Sequence, residues 1–179
     1  MMLEIFLIIL VIMCIIAIII TFYHNNYRFI MIKVNEAENN INMLLDKKRQ
    51  LLEDTKPIIK KELKLKEFLE DLDEVKEKEI DSFELKNILK VNYDELFRII
   101  DENEKLLKSK KLVQIIEQIN NNEEEIIGSI KFYNDNVVIL NKLIKSFPSN
   151  VVGFLFRYKP KNFYKNEKRE IYEILKEKE

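Results

Sequence analysis

The stretch LVQIIEQINNNEEEIIGSIKFYNDNVVILNKLIKSF (residues 112–147) decides the fold. Leu112, Ile116, Ile119, Glu123, Ile126, Ile130, Tyr133, Val137, Leu140, Ile144 and Phe147 recur at alternating steps of four and three, which puts them on one helix face. Glu123 is the only charged residue in that seam. Pro148 ends the helix, because its ring and missing N–H cannot continue the hydrogen-bond ladder.

A second seam has the same alternation: Ile30, Val34, Ala37, Ile41, Leu44, Lys48 and Leu51, with Lys48 as its charged exception. If the two helices lie antiparallel, the register that sets Lys48 opposite Glu123 also brings Phe147 opposite His24. A parallel arrangement does neither. Lys48 and Glu123 then form either a structural ion pair, whose disruption costs ~3–5 kcal/mol, or two charges that snorkel from the seam edge into water.

Upstream of both seams, residues 5–20 are an unbroken apolar run that Thr21, Phe22 and Tyr23 extend. Nineteen helical residues reach ~28 Å, about one hydrocarbon core. The run lacks a basic n-region and a small-x-small cleavage site, so it reads as a retained anchor rather than a signal peptide. Met13 stands before Cys14 where a lipoprotein cysteine wants a small residue. Glu4 precedes the run, whereas Arg28, Lys33, Lys47, Lys48 and Arg49 follow it. The positive-inside rule therefore predicts a single-pass cell-membrane protein with a short outer N-terminus and a cytoplasmic bundle. The lone His24 has no second ligand at metal-binding spacing and suits the headgroup level with Tyr23 and Tyr27.

Composition agrees. Two glycines and three prolines leave little material for turns or sheets, and a net charge of −1 argues against a nucleic-acid partner. One cysteine allows no internal disulfide. The expected fold is all-α: a single transmembrane helix, then an antiparallel up-down bundle of three to four long helices. Its segments are a tail (1–4), the anchor (5–23), the bundle (27–147), a membrane-proximal segment (148–165) and a polar C-terminal helix (166–179). Between the seams, Pro57 can open a helix running to about residue 79. Asp81 with Glu84 predicts a short helix ending near Lys90, and Asn92 with Glu95 predicts another start. A break falls around residues 108–111, or one helix runs through to Phe147.

After Pro148, the chain interleaves Phe154, Phe156, Tyr158, Phe163 and Tyr164 with Arg157, Lys159, Lys161 and Lys165. Rings at the headgroup boundary and cations near anionic lipid are what a membrane-interface segment needs. The alternative is that these rings cap the open end of the bundle. Asn134 and Asn141, one heptad apart beside Tyr133 and Leu140, can fix bundle register through their amides or form a ligand face.

The C-terminal third resembles the LemA family of membrane-anchored bacterial proteins. The residues that carry the likeness are Glu123, Ile126, Tyr133-Asn134, Val137, Asn141, Phe147-Pro148, Ser149-Asn150, Gly153-Phe154 and Phe163-Tyr164. Asn26-Tyr27, Glu36-Ala37 and the cluster Lys47-Lys48-Arg49 echo it more loosely. The family's usual Arg near Ile130 and Tyr at Leu140 are absent, which marks a divergent member. The resemblance implies an antiparallel helical bundle behind one membrane helix, without a defined reaction. An association of relatives with membrane proteases or envelope stress has been suggested.

No Cys–His pair, His-x-x-Glu-His, glycine-rich phosphate loop or metal cluster appears in the sequence. The chain reads as non-enzymatic, with no cofactor, metal or small-molecule substrate. Its expected partners are membrane lipid and another membrane or envelope protein.

Overall fold

The computed structural model describes residues 1–64, 68–70, 72 and 80–164. The far end of the helix expected to reach residue 79 and the expected C-terminal helix from residue 166 lie outside the described residues. The described chain is all-helical: α1 (Met2–Leu63), α2 (Ser82–Glu102), a 3₁₀ turn (Glu104–Lys108), α3 (Lys110–Lys145) and α4 (Ser149–Leu155). The apolar N-terminal helix is long enough to cross a membrane, and no part of its most apolar window is covered by protein. It passes into the first seam without interruption, because no glycine or proline stands before Pro57.

Pro57 lies inside α1, four residues beyond Glu53, and does not open a new helix. An interior proline forfeits one ladder bond and crowds the carbonyl four residues back. Burial outweighs that local cost here: Leu52, Thr55 and Ile59 are fully buried around it, and the Thr55 hydroxyl donates to the Leu52 carbonyl at 2.6 Å.

The chain divides into two compact units, Met1–Ala37 with Phe132–Glu179, and Glu38–Lys131. In the second unit, Ile41, Leu45 and Leu52 of α1, Leu89 and Leu96 of α2, and Leu112, Ile119 and Ile126 of α3 are buried. Its α1 and α3 segments run antiparallel. Asn40 Nδ2 donates to Ser129 Oγ at 2.8 Å, Asn122 Nδ2 donates to the Leu44 carbonyl at 3.0 Å, and Lys48 meets Glu123.

Two local expectations change. α2 is one helix with no second start: Asn92 is buried within it and donates to the Ile88 carbonyl at 2.8 Å. Asp81 stands at its N-cap without a side-chain capping bond. The chain does break before α3. There the Ser109 hydroxyl accepts the Leu112 N–H at 3.4 Å, the N-cap geometry that starts a new helix.

In the unit formed by Met1–Ala37 and Phe132–Glu179, Tyr27, Ile30, Val34 and Ala37 are buried, as are Tyr133, Val137 and Leu140. α3 stops at Lys145, and the Ser149 hydroxyl shares its proton between the Leu143 and Ser146 carbonyls at 2.6 and 2.7 Å. Those are acceptors that a helix end leaves without an intrahelical partner.

Candidate functional site

Past α4 the chain is extended, and residues 158–164 lie as a strap along α3. Asn134 Nδ2 donates to the Tyr164 carbonyl at 2.9 Å, and its Oδ1 accepts the Tyr164 N–H at 2.9 Å. Asn141 does the same with Lys161, at 2.9 and 3.0 Å. Each amide thus satisfies both main-chain groups of one strap residue, as a neighbouring strand would. The spacing follows from two rises: seven helical residues climb ~10.5 Å, and three extended residues cover ~10–11 Å. Between the clamps, the Tyr133 hydroxyl donates to the Asn162 carbonyl at 3.1 Å. The asparagines therefore bind the chain's own strap.

Replacing both Asn134 and Asn141 with alanine should release the strap while α3 stays helical. Each change removes two main-chain hydrogen bonds from the strap, at ~1–3 kcal/mol per buried group that loses its bond. Hydrogen exchange at the Lys161 and Tyr164 amides should accelerate, with circular dichroism unchanged.

α4 joins the strap to α1. The Tyr27 hydroxyl donates to the Ser149 carbonyl at 3.2 Å, and the Tyr27 ring stacks on Tyr158 at 4.5 Å. His24 packs against Phe156 with ring centroids 4.2 Å apart, and its Nδ1 lies 3.4 Å from the Tyr158 hydroxyl. Gly153 faces Tyr27 so closely that a Cβ there would stand 2.7 Å from the phenol oxygen.

α4 ends in a Schellman motif: the Tyr158 N–H bonds the Gly153 carbonyl and the Arg157 N–H bonds the Phe154 carbonyl. Arg157 occupies the left-handed position with φ 57°, where glycine is favoured. An Arg157→Gly change should raise stability by about 0.5–1 kcal/mol, read as an increase in Tm.

The residues singled out in the sequence divide here. Phe154 is 88 % exposed, and Phe156, Arg157, Lys159 and Phe163 are exposed as well. Lys161 is half-buried, with its backbone clamped by Asn141. Tyr164 is buried edge-on against Tyr133, and Tyr158 is half-buried on Tyr27, so these two rings face protein rather than solvent. Phe147 is 82 % exposed, so it holds no register. α3 has already ended at Lys145, which frees Phe147 from the helix face, and the rings that reach His24 are Phe156 and Tyr158.

In the Glu38–Lys131 unit, Lys48 is 4 % exposed and its Nζ meets Glu123 Oε2 at 2.5 Å. The same ammonium lies 4.8 Å from the centre of the Tyr93 ring, whose hydroxyl donates to Asn120 Oδ1 at 3.0 Å. Glu123 stands at the seam edge, while Asn122 takes the fully buried position. Burial pushes the Tyr93 phenol above its usual range, and Glu123 and then Asp94 add to the rise. Its neutral form therefore stabilises the fold fully below the unfolded phenol value of about 10 and loses that effect as pH climbs through the raised folded value. Burial raises the Tyr27 phenol as well, so absorbance titration should show late-ionising tyrosines whose number falls by one in Tyr93→Phe.

Sequence reasoning missed Asn122 altogether, and it named Tyr27 and Gly153 without the contact between them. The four-three count places Glu123 in the seam, but at ~100° per residue Asn122 and Glu123 flank the Ile119–Ile126 line from opposite sides, and periodicity does not choose between them. Nothing local marks the approach of Gly153 to Tyr27, more than a hundred residues away.

The LemA family profile matches residues 30–175. The chain belongs to the LemA family. The match spans the whole clamp, from Asn134 and Asn141 on α3 to Lys161 and Tyr164 on the strap. No curated protein and no solved structure matches the chain. Among the described residues, no group of three or more His, Cys, Asp or Glu side chains could hold a metal ion.

Proposed function

We propose that this LemA-family protein is a non-enzymatic, membrane-tethered interaction or scaffold module for another membrane or envelope protein. One observation carries the reading: the polar groups that stand out in the sequence are engaged in holding the fold. Asn134 and Asn141 clamp the strap, and Lys48 is matched by Glu123. What the chain offers outward is helix surface beside an uncovered apolar anchor. Tethering raises its effective concentration for bilayer neighbours.

Arg28, Lys33, Lys47, Lys48 and Arg49 after the anchor favour a bundle in the cytoplasm and a short N-terminus outside. Proximity labelling from a C-terminal fusion in intact cells tests both points. The expected result is cytoplasmic labelling with one or a few membrane proteins reproducibly enriched. Labelling confined to the outer side, or no enrichment over a bare anchor, would refute it.

A second reading, a lipid-surface module acting through residues 150–165, is favoured by the exposure of Phe154 and Phe163 among Arg157, Lys159 and Lys161.

A further inference from the structure

We infer that α4 is a membrane foot, lying in the headgroup layer beside the exit of α1 with Phe147, Val151, Phe154 and Leu155 turned into an anionic bilayer. The inference rests on α1 being a membrane anchor.

α4 carries no charged residue, and past Ser149 and Asn150 it is apolar. Its inner face, with Val152 and Gly153, is buried. Val151, Phe154 and Leu155 on the other face are all more than half exposed, and Phe147 just ahead of the helix is 82 % exposed. An apolar stretch belongs in a protein interior or in lipid. Here protein covers one face.

Position along α1 decides what covers the other. α4 begins at the level of Tyr27, which bonds the Ser149 carbonyl, and ends at the level of His24, which packs on Phe156. Tyr27 lies four positions beyond Tyr23, the last residue of the apolar run, or ~6 Å along the helix. The headgroup layer is ~5–7 Å deep on each side of the hydrocarbon core. The whole of α4 thus falls within that layer whenever residues 5–23 span the core.

The charges fit the same occupant. Arg157 and Lys159 follow α4 directly, both exposed and without an ion pair among the described residues. Arg157 sits where glycine would be less strained, so a long cation is kept at a conformational cost beside the bilayer surface. Anionic phosphates are the ligand those two groups suit.

The test uses the full chain with Cys14→Ser, carrying one environment-sensitive probe on Phe154→Cys, Ile12→Cys or Asp135→Cys in turn. Vesicles are phosphatidylcholine with or without phosphatidylglycerol, doped with lipids spin-labelled near the headgroup or deep in the chain. The probe at position 154 should shift to the blue, be quenched by the shallow label and be shielded from aqueous iodide, with a larger effect in anionic vesicles. The probe at position 135 should remain open to iodide. A probe at 154 as open as that at 135, while the one at 12 is still quenched by the deep label, overturns the foot alone and leaves the face to a protein. Loss of deep quenching at 12 overturns the anchor and the foot together. Arg157→Glu with Lys159→Glu should abolish the difference between anionic and neutral vesicles; an unchanged difference removes those two residues from the proposal.

Discussion

Replacing Glu123 with alanine should destabilise the Glu38–Lys131 unit by about 3 kcal/mol, because it strands the Lys48 ammonium. Lys48 is 4 % exposed, and the Tyr93 ring 4.8 Å from its ammonium offers only partial compensation. Glu123 itself is a third exposed, which sets the figure at the low end of the range for breaking a buried pair. Lys48→Met should cost less, since the carboxylate left behind can turn to water. The double variant Lys48→Met with Glu123→Leu should recover most of the loss, because an apolar pair of similar volume replaces an ion pair with little penalty. Urea unfolding of the wild type, Lys48→Met, Glu123→Leu and the double variant closes the cycle. A coupling energy indistinguishable from zero would mean that both charges are solvated independently.

Gly153→Ala is the second large effect. The new Cβ would meet the Tyr27 phenol oxygen at 2.7 Å and Cζ at 3.2 Å. Tyr27 cannot retreat, being fully buried, hydrogen-bonded to the Ser149 carbonyl and stacked on Tyr158. Overpacking of this kind costs ~1–3 kcal/mol, and here it should also detach α4 from α1. Tyr27→Phe removes the nearest contact, so Gly153→Ala should be milder in that background. Thermal melts with hydrogen exchange at Val152 and Gly153 measure both effects. Equal losses in the two backgrounds would mean that the phenol oxygen is not the obstacle.

The helices were legible because they follow from periodicity, and periodicity is local; the antiparallel course of α1 and α3 in the Glu38–Lys131 unit was legible from the match of their charged exceptions, Lys48 and Glu123. Lys48 was visible for the same reason: a charge in an apolar seam is an anomaly without any structure. Asn134 and Asn141 could be singled out by their heptad spacing, but their partners are backbone groups of residues 161 and 164, which carry no sequence signature. Pro57 shows the reverse failure. Its local rule is sound, yet fully buried Leu52, Thr55 and Ile59 keep α1 helical through it. Tyr158 and Tyr164 suited an aromatic-basic pattern, and only tertiary packing distinguishes rings that face solvent from those that stack on Tyr27 and Tyr133.

The unbroken passage of α1 from the apolar run to Tyr27 means that no joint separates the two. An axle without a coupling cannot turn at one end only, so any roll of the anchor carries the Tyr27 face and α4 round with it by the same angle. Seven residues inserted after Tyr23 would restore that azimuth to within ~20° but hoist α4 ~10.5 Å clear of the lipid.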